Sequence, residues 1–221
     1  MKSNNSLDTT IERLVELMDL EVIEENIFRG ESQDIGSPQV FGGQVLGQAL
    51  MAATRTIEGR SVHSLHAYFL RRGDFEAPIV YEVDRARDGG SFSNRRIIAV
   101  QHGEQIFNMT ASFQKPEEGL EHQSEMPEVK GPDELEDLVD LIKPEWVEQL
   151  PGRIKRMLTR ERPFEVKPVE PPHFLTNKTT APIKHSWIKA KGVVPQHIGL
   201  HEALLAYVSD YDLLTTAILP H

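Results

Sequence analysis

The chain has 221 residues, 39% of them apolar and 26% charged, which is enough for one large or two small domains with true cores. It contains no cysteine, which excludes disulfides, thiolate zinc sites and cysteine nucleophiles together. Its net charge is −10, with the acidic excess gathered in residues 116–160, and this argues against a nucleic-acid partner.

The first residues carry acids and no apolar h-region, so they do not read as a signal or transit peptide. No apolar run is long enough for a membrane-spanning helix. A cytoplasmic protein is expected, with a peroxisomal address as the eukaryotic variant. Residues 7–20 place Ile11, Leu14, Val15 and Met18 on one face, the pattern of an amphipathic helix. The segment VIEENIFRGES that follows reads as a strand.

Val40–Leu50, VFGGQVLGQAL, opens a helix that is apolar on nearly all sides from Val45 to Ala53 and fades near Gly59. Such a helix must be wrapped by other structure. Four strand-like runs follow between residues 61 and 115. In Pro78–Asp88, Ile79, Tyr81 and Val83 alternate with polar residues; the last run sets Phe107, Met109, Ala111 and Phe113 on one face. Asp88-Gly89-Gly90 and His102-Gly103-Glu104 mark hairpins, so an antiparallel meander is expected. A buried helix gripped by a curled antiparallel sheet is an α+β hotdog, whose usual substrates are acyl thioesters, although fold alone does not fix function.

Residues 116–160 are acidic and interrupted by prolines, as in a linker with short helices near Glu134–Ile142 and Glu145–Met157. FEVKPVE and IKHSWIKA then read as strands and Ile198–Leu214 as a helix, repeating the order of elements that opened the chain. The expected organisation is a first hotdog domain at 1–115, a linker at 116–160 and the start of a second hotdog domain at 161–221, its copy cut short at the C-terminus.

Together, IFRGES, QVFGGQVLGQAL, VHSLHAYFLRRGD, PIVYEV, RDGGSFSNRR and IFNMTASFQ closely resemble the acyl-CoA thioesterase II family of double hotdog proteins. RPFEVKPVE, HSWIKA and HEALLAYVSDYDLL extend the resemblance over nearly the whole chain. It implies hydrolysis of fatty acyl-CoA to fatty acid and CoA, without metal or other cofactor. It also implies an aspartate that works with a hydroxyl residue and a glutamine to hold and activate water. The aspartate falls on Asp210; the other two belong to a second meander that these residues do not include.

Three further residues are candidates for binding substrate. Backbone N–H groups near Gly43 and Gln44, at the mouth of the apolar helix, could serve a developing oxyanion, and His63 could line the pocket. Each has a plainer reading as well: tight packing for Gly43, backbone satisfaction for Gln44 and strand packing for His63. His63 and His66, three apart in a strand, are expected on opposite faces. His197 and His201 have the spacing of a zinc pair but no third ligand stands out, so no metal is expected. The arginines at 71–72, 85, 87 and 95–96 could meet an anionic CoA or simply be solvated. Ser64, Ser91 and Ser93 lack a nucleophile-elbow context. The alternatives are a non-catalytic acyl-CoA-binding or assembly module, and a hydratase, which would need a histidine near the central helix. Association into a homo-oligomer is expected.

Overall fold

The computed structural model describes residues 10–148, 150–152, 155, 158, 160–172 and 178–221. The chain divides into two compact units. One runs from Arg13 to Gly119 and adds Val194–Tyr211; the other comprises Met1–Glu12, Leu120–Val193 and Asp212–His221.

In the larger unit, helix α1 (Thr10–Met18, entering from Arg13) turns Ile11, Leu14 and Met18 inward, as its periodicity predicts. The single strand expected next is two: β1 (Glu21–Glu24) and β2 (Ile27–Gly30) pair antiparallel about a tight turn at Glu25-Asn26. Helix α2 (Gly42–Thr54) is buried from Gly43 to Ala53 and stops earlier than its composition suggests. Arg55 forms its C-cap, and the Thr56 hydroxyl donates to the Ala53 carbonyl, 2.7 Å away.

Strands β3 (Ser61–Phe69), β4 (Ile79–Asp88), β5 (Phe92–Gln101) and β6 (Glu104–Gln114) complete a six-stranded sheet of order β1-β2-β4-β5-β6-β3. The predicted meander therefore holds for β4, β5 and β6 only. The connection from Leu70 to Pro78 is long enough for β3 to pair with β6 at the far edge rather than with β4. The face that covers α2 carries Ile79, Tyr81, Ile97, Ala99, Phe107, Met109, Ala111 and Phe113, all essentially inaccessible. Burying this many large apolar groups, at about 25 cal/mol per Å² of apolar surface, is what holds the sheet around the helix.

Among the described residues Arg95 is the one charged side chain buried in that core, 1% exposed. Its guanidinium donates to Thr56 Oγ1, the carbonyls of Thr56, Arg87 and Asn94, and Asp88 Oδ1 at 2.7–3.1 Å, which ties the β4–β5 hairpin to the end of α2. Helix α4 (Ile198–Ser209) belongs to this unit and packs on α2.

In the smaller unit, β7 (Phe164–Pro168) and β8 (Ser186–Ala190) form a two-stranded antiparallel sheet, as expected. The helix predicted at Glu134–Ile142 is instead a 3-10 turn at Pro132–Glu134 followed by turns. There the backbone bonds go to the neighbouring strand: Leu138 N–H donates to the Val166 carbonyl at 2.7 Å. Helix α3 (Pro144–Glu148) begins the second predicted helix, part of which lies outside the described residues. Helix α5 (Leu213–Ala217) is separate from α4, because Asp212 adopts φ +60° and breaks the continuous helix expected through Leu214.

Candidate active site

Glycine brings α2 and α4 together. A Cβ on Gly43 would stand 2.2 Å from the Tyr207 carbonyl oxygen and 2.3 Å from the Phe41 ring, and one on Gly47 3.0 Å from the Ala203 carbonyl. The pairs run in opposite senses, so the helices lie antiparallel with backbone nearly touching backbone. The C-terminus of α4 therefore falls beside the N-terminus of α2.

Asp210 is the C-cap of α4. Its carboxylate accepts the Gly43 backbone N–H, and a Cβ on Gly42 would lie 2.7 Å from its Oδ2. Gly42 leaves room for the acid, and Gly43 lets α4 come close enough to bring it. Burial pushes the Asp210 pKa up, because the charged form is desolvated, and the Gly43 amide only partly opposes this. A carboxyl raised in this way is a better proton acceptor than an ordinary surface aspartate.

Asp210 opens into a cavity of about 410 Å³ with Gly42, Val45, Phe69, Ile106 and Phe107 on its walls and Arg71 and Arg72 on its rim. The 70–78 connection that forms the rim is held in place. The Leu70 and Arg71 amides donate to the Ile106 carbonyl, Val40 N–H donates to the Gly73 carbonyl, and the buried Gln101 amide bonds the backbone of Asp74 and Ala77. Arg71 pairs with Glu104 at 3.0 Å. An acid of raised pKa beside an apolar recess can hold a water and take its proton while an apolar chain is bound.

The other candidates lie elsewhere or are engaged. Gln44 is buried, its Oε1 accepting from Gln33 N–H and its Nε2 donating to the Glu31 carbonyl, both at 3.1 Å, so the side chain fastens α2 to the connection that follows β2. Its backbone N–H donates to the Phe41 carbonyl. Gln48 is similar, bonding Leu17, Glu31 and the Tyr81 hydroxyl. The Gly43 N–H faces Asp210 rather than an empty recess.

His63 is exposed, 2.8 Å from Ser112 Oγ and edge-on to Phe92 across the β3–β6 pair, and it does not line the Asp210 cavity. A register shift at Val62/Ser64 sets His63 on the Ser112 side, the face that also carries His66 opposite Thr110. The expectation of opposite faces fails at this bulge. His197 Nδ1 accepts from Leu200 N–H and His201 Nε2 meets the Pro195 carbonyl, so each has a local partner. Among the described residues no cluster of His, Cys, Asp or Glu could hold a metal ion.

Of the arginines, Arg95 is structural, Arg85 pairs with Glu25, and Arg71 and Arg72 stand at the cavity. Phe69, Val45 and Ile106 were not singled out by sequence; nothing distinguishes them from other core residues until the fold closes the recess.

Residues 29–114 match the acyl-CoA thioesterase N-terminal domain family, and residues 154–221 match the acyl-CoA thioesterase family. The chain is 44% identical over 216 residues to acyl-CoA thioesterase 2 of Haemophilus influenzae, covering 96% of this chain and 74% of that protein. It resembles the crystal structure of the acyl-CoA thioesterase II TesB2 from Mycobacterium marinum at a TM-score of 0.70 and 38% identity, over 95% of this chain and 71% of the other. A hotdog-fold protein of unknown function from Alicyclobacillus acidocaldarius matches at a TM-score of 0.71 and 20% identity, over 94% and 72% of the two chains, which bears on fold alone.

Proposed function

The chain belongs to the acyl-CoA thioesterase family and hydrolyses acyl-CoA thioesters on an α+β hotdog fold, and on that premise we propose that Asp210 is the general base. The observation that carries this reading is the buried carboxylate, raised in pKa, at the meeting point of the α2 N-terminus and the α4 C-terminus. Asp210 takes a proton from water as the water oxygen attacks the thioester carbonyl. The C–S bond then breaks, leaving the fatty acid, and the CoA thiolate takes up a proton. The acyl chain runs over Val45, Phe69 and Phe107, and the backbone at Gly42-Gly43 lets the carbonyl come close to the helix.

We extend the proposal to the architecture. Helix α4 is the central helix of a second hotdog copy, with 1–115 as the first domain and 116–160 as the link. The antiparallel meeting of α2 and α4 supports this, because each helix presents glycine to the other. Association into homo-oligomers would use the β3 edge of the sheet, where Tyr68 is more than half exposed. Cytoplasmic residence accords with the cysteine-free composition.

The test is CoA release from a long-chain acyl-CoA by wild type and Asp210→Asn. Loss of a general base lowers kcat by about 10² or more, with KM nearly unchanged. Equal turnover by the two proteins removes Asp210 from the mechanism. Binding without turnover in the wild type favours the non-catalytic acyl-CoA-binding alternative.

A further inference from the structure

The larger unit holds a second cavity, of about 810 Å³, at the opposite end of the α2–α4 pair. Its position follows from the pairing itself. Laying Gly43 of α2 on Gly199 of α4 lays Gly47 on Ala203 and Thr54 on Asp210. The contacts repeat under the same exchange: Gly43 meets Asp210, and a Cβ on Gly199 would stand 2.5 Å from Thr54 Cγ2. The second cavity is thus related to the Asp210 cavity by a local two-fold, with Thr54 where the first has its carboxylate.

Its chemistry differs from the first site in ways that bear on function. Met18, Met51, Ile57, Ile198 and Leu200 make an apolar lining, and the size falls within the range of small-molecule sites, about 300–1,000 Å³. Thr54 Oγ1 is shielded from solvent and has no hydrogen-bond partner among the described residues, so this position offers the recess neither a charge nor a reachable donor. The N-terminus of α4 is closed by the His197 ring, where the N-terminus of α2 has no side-chain cap. Glu202, the acid at this cavity from α4, accepts bonds from Ser61 and Val62 of β3, so it is turned to the strand. A hydroxyl does not replace a carboxylate as a general base at neutral pH, and the Leu200 amide at the start of α4 is already taken by the His197 ring.

We propose that this second cavity binds a long-chain acyl group without hydrolysing it, the methionine- and isoleucine-lined recess taking the chain as its two-fold counterpart does at Asp210. The proposal rests on the reading of α4 as the second copy's helix. The acyl group can arrive on CoA or as the free fatty acid, and the shared chemistry is an apolar chain ending in a carbonyl oxygen.

The test is photolabelling of the full chain with a long-chain fatty acid bearing a terminal diazirine, followed by peptide mapping. Label is expected on residues 51–61 as well as on 39–45. Ile198→Trp, which fills the recess from an exposed position, is expected to lower the 51–61 label by about tenfold or more, while the 39–45 label in the same molecules serves as the internal reference. Ile57→Trp repeats the test if the melting temperature shows the first variant to be misfolded. Competition by unlabelled palmitate against S-hexadecyl-CoA, a thioether that cannot be hydrolysed, tells which source of the chain the cavity prefers.

Label confined to 39–45, no label on either segment, or a 51–61 label that folded variants leave undiminished, overturns the proposal. CoA release measured alongside separates the two sites. Turnover without a 51–61 label leaves Asp210 standing and removes the second site, whereas a 51–61 label without turnover does the reverse.

Discussion

Gly43→Ala puts the helix pairing to the severest test. The added methyl would sit 2.2 Å from the Tyr207 carbonyl oxygen and 2.3 Å from the Phe41 ring, where about 3.4 Å is ordinary contact. The ring can swing aside, but Tyr207 O is backbone in the last turn of α4, so the two helices must separate there by roughly 1 Å. Overpacking of this kind costs about 1–3 kcal/mol, and the contact with backbone sets it at the upper end. Better helix propensity returns at most about 1 kcal/mol, leaving a net loss near 2 kcal/mol. The same movement withdraws the Gly43 N–H from Asp210, and a 1 Å misplacement of a reacting group can cost about 10²-fold in rate. Urea unfolding gives the first quantity and steady-state CoA release the second. Gly90→Ala is the control, because nothing lies within 4 Å of its Cβ position. If Gly43→Ala unfolds and turns over like Gly90→Ala, the close approach of α2 and α4 is not what shapes the site.

Tyr81→Phe removes the donor to Gln48 Oε1 in the core, and chemical denaturation should show a loss of about 1–3 kcal/mol. Arg95→Met strips five hydrogen bonds from a buried site; because Asp88 is half exposed and can turn to water, the cost in the same assay should stand near the low end of about 3–5 kcal/mol. The kcat/KM profile of the wild type should rise with pH through the folded pKa of Asp210, at a midpoint above that of an ordinary aspartate, and this limb should be missing from whatever rate Asp210→Asn retains. Asp210 also binds its proton more tightly folded than unfolded, so its contribution to stability is present below the unfolded value and is lost as pH rises through the folded one. Asp210→Asn should therefore melt higher than wild type at pH 7, with the gain vanishing in acid below the unfolded aspartate value of about 3.9.

The parts of the fold that sequence made legible are those where one local rule governs. The apolar run of α2, the alternation in β4 and β6, and the Asp88-Gly89-Gly90 turn each announce an element without reference to distant residues. The parts that escaped depend on tertiary choices. A strand at Val22–Ser32 could not be told from two strands around Glu25-Asn26, since polarity and length suit both. The place of β3 beyond β6 is set by a long connection with no pattern of its own. At the site, Asp210 emerged from family resemblance, whereas the roles of Gly42 and Gly43 became specific only when Tyr207 and Asp210 arrived beside them from the far end of the chain. Gln44 is a candidate by sequence for its backbone N–H at the mouth of α2; that amide donates to Phe41, and the side chain bonds the backbone of Glu31 and Gln33, as its plainer reading expects.

The two-fold relation of α2 and α4 explains why one of the two matched positions, Asp210, carries an acid and the other, Thr54, does not. A carboxylate at the end of one central helix must be accommodated by the start of the other, and α2 does this with two glycines and an uncapped turn whose Gly43 amide reaches Asp210. The start of α4 offers one glycine, Gly199, already filled by the Thr54 methyl, and a turn closed by His197. A carboxylate in place of Thr54 would be desolvated against the Gly199 backbone with the Leu200 amide already held by His197, which costs several kcal/mol for a charge left unpaired. Threonine carries no charge there, and an unpaired hydroxyl costs less than an unpaired carboxylate. The asymmetry between the two ends therefore lies in the helix that receives the side chain as much as in the side chain itself. Converting the second cavity to a hydrolytic one would require changes at His197 and Ile198 together with Thr54.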